Sequence, residues 1–179
     1  AEDVKYGVIL DEDFFRLLEE RVDQLTAREP GTLREVIARC CRLKAEVVEA
    51  DERETSGLRP VINYGHTFAH ALEAVAGYGE LLHGEAVALG MVCASRLAEK
   101  LGRISPVVTS RQVQLLHALG LPTQLPALPE DALWLAMNRD KKVEHGQLRF
   151  VLPDRLGHVE LVSGVEAEPV LDVLKSIPA

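Results

Sequence analysis

Three of the six histidines of this 179-residue chain, His66, His70 and His83, fall within one short stretch. His66 and His70 are four apart, so on a helix they project from one face, one turn apart. His83 follows Gly77-Tyr78-Gly79, a reversal that can return a second helix alongside the first. Two imidazoles from one helix and one from its neighbour suit a divalent metal, with Zn²⁺ favoured by nitrogen-rich ligation. At about 100° per residue, His66, His70 and Glu73 share a face opposite Phe68, Leu72 and Val75. A solvated face over an apolar one has the same pattern, so spacing alone leaves both readings open.

Lys44 is the next residue with chemical meaning. It lies inside the apolar stripe Leu33, Val36, Ile37, Cys40, Val47 and Val48, where a lysine either snorkels to solvent or meets an anion. Arg59 and Asn63 flank Pro60 at the entry to the histidine helix. Asn63 can serve as its N-cap, a position that also aims N–H groups at a bound anion. Lys5, Lys44, Arg59 and Lys141 together suit a small molecule bearing carboxylate and phosphate, arginine as a bidentate fork and lysines as point charges.

The elements that position these groups read as mainly helical. Asp11-Glu12-Asp13 opens a helix carrying Phe14, Leu17, Leu18 and Val22, which Glu29-Pro30-Gly31 ends. Thr32 with Glu35 has the pattern of a capping box opening a second helix. Residues 52–62, with Gly57 and Pro60, read as a loop. Helices are expected at about 64–76 and 84–101, the latter apolar nearly all round and therefore central. Ser105-Pro106 starts another helix that ends near Gly120, and Pro129-Glu130-Asp131 starts one more. Alternation at Leu148, Phe150 and Leu152, and at Val159 and Leu161, predicts a small hairpin, and a last helix covers about 167–176.

Length fits one domain large enough to bury a core. A composition of 47% hydrophobic and 27% charged residues is ordinary for a globular chain, and a net charge of −8 argues against nucleic acid or an anionic membrane as partner. No apolar run reaches the length of a bilayer span; the longest is Ala86 to Ala94. Cys40, Cys41 and Cys93 form no Cys-x-x-Cys pattern, so reduced thiols and a cytoplasmic setting are expected. No Gly-x-Gly-x-x-Gly follows a strand-like run, so this chain offers no visible seat for a dinucleotide.

Asn63-x-Gly65-His66-Thr67-x-x-His70-x-x-Glu73, then Tyr78-Gly79 and His83-Gly84-Glu85-Ala86-Val87, resembles the zinc-binding signature of 3-dehydroquinate synthase. So do Lys44-Ala-Glu-Val-Val, Asp51-Glu-Arg-Glu-Thr and Gly57-Leu-Arg59, the opening Ala1-Glu2-Asp3-Val4-Lys5-Tyr6-Gly7, and Asp140-Lys141-Lys142. The likeness runs nearly end to end, but covers only the C-terminal half of such an enzyme. It implies a mainly α, multi-helix domain with a small β-hairpin over residues 1–179, the NAD-binding domain lying outside this chain.

The resemblance also assigns roles. It implies Glu2, His66 and His83 as ligands of Zn²⁺, with Co²⁺ as a substitute, and His70 as an acid–base residue contacting substrate. Glu54 maps to a proton acceptor, and Lys5, Lys44, Arg59, Asn63 and Lys141 (the first lysine after Asp140, in preference to Lys142) to substrate contacts. The implied reaction converts 3-deoxy-D-arabino-heptulosonate 7-phosphate to 3-dehydroquinate and phosphate, a lyase step of the shikimate pathway, with NAD on the other half and a homodimer as the assembly. Another sugar-phosphate cyclase of the 2-deoxy-scyllo-inosose synthase type, or a helical zinc-binding module without catalysis, are the alternatives. Three departures bear on the site. Asp3-Val4 replaces Val-Ile, putting a charge beside Glu2. Ser56 is an extra residue between Thr55 and Gly57. If the polypeptide begins at Ala1, Glu2 stands in a terminal segment expected to fray. Separation from the other half predicts an apolar patch near the histidines.

Overall fold

The computed structural model describes residues 1–52, 59–77, 79–139 and 148–177. Among these the chain is mainly helical, with one two-stranded antiparallel hairpin. No helix among them is long and apolar enough to cross a membrane. Glu54, Asp140, Lys141 and Lys142 lie outside the described residues.

The centre is α6 (His83–Lys100), whose residues from Ala86 through Ser95 are all buried, together with Leu97 and Ala98. Its sequence is apolar all round because it is covered all round. α5 (His66–Ala76), α7 (Pro106–Ala118), α9 (Ala167–Ser176) and the first hairpin strand, β1 (Arg149–Arg155), pack against it. α8 (Glu130–Arg139) lies on α5. β1 pairs with β2 (His158–Ser163) in the register Arg149↔Ser163 to Pro153↔Val159, with an irregularity between Pro153 and Arg155. Phe150 stacks on Phe68 of α5 at 5.3 Å between ring centroids, fixing the hairpin against the histidine helix.

The expected frayed terminus is instead a helix, α1 (Glu2–Leu10), buried at every position from Val4 to Ile9. It packs on α2 (Glu12–Glu20), α4 (Pro30–Ala50), α6, α7 and the hairpin, and the hairpin tip is tied to it by Gly157 N–H donating to the Val8 carbonyl at 2.9 Å. Its pattern escapes periodicity because both faces are covered, so no polar stripe marks it.

Other boundaries shift for local reasons. The expected first helix breaks at Arg21 into α2 and a short α3 (Val22–Thr26). Asp11 caps α2 by accepting from Phe14 N–H at 3.0 Å. α4 begins at Pro30 rather than at Thr32, because the Glu29 carboxylate caps the N–H groups of Gly31 and Thr32 at 2.8 and 2.6 Å. Pro30 needs no N–H at the first helical position. The buried edge of α4 is Thr32, Val36, Leu43 and Val47, and Ile37 faces out at 57% exposure. Part of the expected 52–62 loop is a 3₁₀ turn, Arg59–Asn63.

Candidate metal centre

The N-cap of α5 is Gly65, whose φ of +80° is left-handed and open to glycine at little cost. Asn63 lies in the 3₁₀ turn and is therefore not the cap. His66 occupies the first helical position. α6 starts at His83, where the Glu85 carboxylate reaches back to accept from Leu82 N–H at 2.9 Å and fixes the first turn. Each helix thus presents a histidine at its first residue. Gly65 crosses closely on Gly90, which sets the first turn of α5 against the middle of α6.

The result is convergence. Glu2, His66 and His83 each offer a ligand atom, and these atoms all lie within 4.8 Å of one another. The His66 and His83 rings meet edge-on with centroids 5.7 Å apart, and the His66 and His70 rings do so at the same 5.7 Å. His66 Nδ1 lies 3.2 Å from the Tyr64 carbonyl oxygen and His83 Nδ1 lies 3.0 Å from Glu73 Oε1. Both oxygens are acceptors, so each Nδ1 carries the proton and each Nε2 is the nitrogen that can ligate.

The donor set fits a divalent cation. Two neutral imidazoles and a carboxylate are borderline-soft and hard donors that zinc accepts, and three protein ligands leave a coordination position for substrate. Bonds of about 2.0–2.2 Å put tetrahedral ligands roughly 3.4 Å apart, which small side-chain rotations reach from the observed spacing.

Glu2 arrives from α1 and is held by Lys5, whose ammonium donates to Oε2 at 2.6 Å. Lys5 is 1% exposed. Burial works against ionisation of Glu2. The Lys5 hydrogen bond and the charges of Lys5, His66 and His83 outweigh it and hold the carboxyl below its ordinary pKa. Burial likewise lowers the Lys5 pKa; the Glu2 partnership opposes this, while nearby Lys44 adds to the lowering. The charge that Asp3 introduces beside Glu2 is accommodated at the surface, where the Cys40 thiol donates to Asp3 Oδ1 at 3.0 Å.

Lys44 is exposed, and with Arg59 and Asn63 it lines one cavity of about 340 Å³, bounded also by Val48, Pro60 and Ile62. The Arg59 backbone N–H is fixed by Asp51 Oδ2 at 3.1 Å. His70 opens instead on a second cavity of about 650 Å³ between α5 and α8. Leu82, next to His83, is 71% exposed, and Leu135, which lines the His70 cavity, is 50% exposed. Glu73 was grouped with the histidines by the helical wheel, but only the return of α6 reveals its partner.

Comparison with known proteins identifies relatives of the chain. The chain is 48% identical over 171 residues to a 3-dehydroquinate synthase of Rhodopirellula baltica, covering 96% of this chain and 46% of that protein. It thus spans about half the length of the curated relative it matches. Among solved structures it is similar to 2-epi-5-epi-valiolone synthase of Streptomyces hygroscopicus subsp. jinggangensis with NAD⁺ and Zn²⁺ bound. That match has a TM-score of 0.87 at 28% identity and covers 98% of this chain and 49% of the other. A 2-deoxy-scyllo-inosose synthase complexed with carbaglucose-6-phosphate, NAD⁺ and Co²⁺ shares the fold, with a TM-score of 0.75 at 24% identity over 97% of this chain and 50% of the other. Residues 1–143 match the family described as 3-dehydroquinate synthase C-terminal, and the chain belongs to that family.

Proposed function

We propose that this chain is the metal- and substrate-binding part of a 3-dehydroquinate synthase, which forms 3-dehydroquinate and phosphate from 3-deoxy-D-arabino-heptulosonate 7-phosphate. The observation that carries the reading is the meeting of Glu2, His66 and His83 from three separate helices. Lys44, Arg59 and Asn63 line one cavity that carries two cationic side chains. The 48% identity to a protein of that name favours this reaction over other cyclisations of sugar phosphates.

Glu2, His66 and His83 would hold the cation, and NAD would sit on the part of the protein outside this span, as supported by the NAD⁺ and Zn²⁺ of the valiolone synthase. When bound, the cation supplies Lewis acidity toward a substrate hydroxyl and NAD supplies the hydride acceptor. This chain's residues do the rest. The Arg59 guanidinium and Lys44 ammonium hold carboxylate and phosphate, so that successive steps proceed with little movement of the substrate. His70, beside His66 and facing a cavity, takes up and returns protons at its ring. Lys5 keeps Glu2 ionised and so fit to ligate. Glu54 and Lys141 complete the proposed set as proton acceptor and substrate contact. A homodimer in a cytoplasmic setting with reduced thiols belongs to the same reading.

The test uses the full-length protein. Metal content should be near stoichiometric and fall strongly in His66→Ala. Phosphate release should require NAD and prefer the heptulosonate phosphate over hexose 6-phosphates. Preference for a hexose 6-phosphate would transfer the assignment to an inosose-type cyclase, and bound zinc with no turnover on any sugar phosphate would leave a binding module.

A further inference from the structure

We infer that Glu73 is a positioning residue for the metal centre, its carboxylate acting through His83. This rests on the reading of Glu2, His66 and His83 as metal ligands. The two histidines are restrained by different means. His66 is half-buried and its Nδ1 meets a backbone carbonyl, that of Tyr64, at 3.2 Å. His83 is 56% exposed, so packing restrains its ring only weakly. What fixes it is Glu73 Oε1, 3.0 Å from Nδ1, reaching across from α5 to α6. Glu73 is seven residues beyond His66 on the same helix, two turns along, so the helix that supplies one ligand also orients the other.

The chemistry of that contact is specific. An anionic acceptor on Nδ1 selects the tautomer with the proton there and directs the Nε2 lone pair to the cation. It also makes the imidazole a stronger donor. Losing it leaves an exposed ring free to populate other rotamers, whose freedom must be given up on metal binding. Glu73 is itself outside the ligand group, which contains only Glu2, His66 and His83 among the described residues.

Zn²⁺ affinity of the full-length protein, measured by competition with a chromophoric chelator, tests the role. Co²⁺ loading followed by its visible absorption provides a second readout. Glu73→Ala should weaken zinc binding about 10–100-fold, with the metal-free unfolding midpoint unchanged. Glu73→Gln keeps an acceptor oxygen without the charge and should fall between Ala and wild type. In a His83→Ala background, Glu73→Ala should add no further loss. Wild-type affinity in Glu73→Ala, or a full further loss on top of His83→Ala, overturns the positioning role. Absence of metal binding by the wild-type protein overturns instead the metal reading on which the role rests.

Discussion

Gly65 and Gly90 touch backbone to backbone. A Cβ built on Gly90 would stand 2.2 Å from the Gly65 carbonyl oxygen, and one built on Gly65 would stand 2.7 Å from Met91 N. This crossing brings the first turn of α5 against the middle of α6, leaving His66 beside the chain that leads from His83. The candidate metal centre therefore depends on two residues that carry no side chain. Gly90→Ala must push the helices apart, since the obstructing atoms are main chain and cannot rotate away. Overpacking commonly costs 1–3 kcal/mol, and here about 3 kcal/mol or more is expected. Gly84→Ala, with nothing within 4 Å of its Cβ, is the control and should be neutral or stabilising by up to about 1 kcal/mol. Urea unfolding of the metal-free proteins separates them. Equal midpoints for the two variants would refute the close-approach argument.

Lys5 holds two opposed relationships with the proposed site. It keeps Glu2 ionised, yet its buried ammonium occupies Glu2 Oε2 and places a positive charge where a divalent cation is to bind. Lys5→Met preserves volume and removes that charge. A buried ion pair replaced by an apolar group is often close to neutral for stability, although here the half-exposed carboxylate remains. Zinc affinity should rise several-fold in Lys5→Met, while the KM for an anionic substrate rises rather than falls. Titration with zinc and steady-state kinetics on the same preparation check both directions. A drop in zinc affinity would mean that Lys5 organises Glu2 more than it competes for it.

The hairpin carries a separate acid sensitivity. Burial opposes ionisation of Asp154, but the hydrogen bond from His158 at 2.8 Å, the His158 charge and Arg155 together outweigh it and hold its pKa below the ordinary value. An unfolded-state Asp titrates near pH 3.9. Because the folded pKa is depressed, this contribution is complete above about pH 4 and disappears as pH falls through the folded value. Screening at a partly exposed pair keeps it below about 1 kcal/mol. Asp154→Asn should therefore flatten the acid limb of a stability-versus-pH curve while changing little in slope above pH 5. Parallel acid limbs for the two proteins would show that this pair carries no linkage.

What could be read in the sequence follows from which interactions are local. His66 and His83 were legible as neighbours because the glycine reversal between α5 and α6 is short. α6 was legible as central because its apolar residues leave no polar stripe. α1 was not, since burial on both faces erases the period that distinguishes a helix end from a loose terminus. Glu29 displaced Thr32 as the cap of α4 because its longer carboxylate reaches two N–H groups at once, a geometry outside the usual Ser/Thr pattern. The Glu2 and Glu73 partnerships are tertiary, and only the family likeness marked Glu2 beforehand.

Close to His66 in sequence, Tyr64 forms part of a polar pair with no access to water. Tyr64 and Gln112 are both completely buried, and the Tyr64 hydroxyl donates to Gln112 Oε1 at 2.9 Å, with the Met91 carbonyl at 3.2 Å as a longer alternative. Gln112 Nε2 is buried with no partner among the described residues, so the pair is already incompletely satisfied. Tyr64→Phe deprives Gln112 of its remaining donor and should cost about 1–3 kcal/mol, the penalty of an unsatisfied buried polar group. Gln112→Met removes both the acceptor and the unpartnered amide, so it should cost less, leaving the hydroxyl the Met91 carbonyl. The double variant removes both partners of the Tyr64–Gln112 hydrogen bond, and its loss should fall short of the sum of the single losses by about 1 kcal/mol or more. Because the Tyr64 carbonyl also meets His66 Nδ1, zinc affinity measured on the same variants reports whether the backbone has moved. Strict additivity of the unfolding free energies would mean that the two side chains do not share a hydrogen bond in solution.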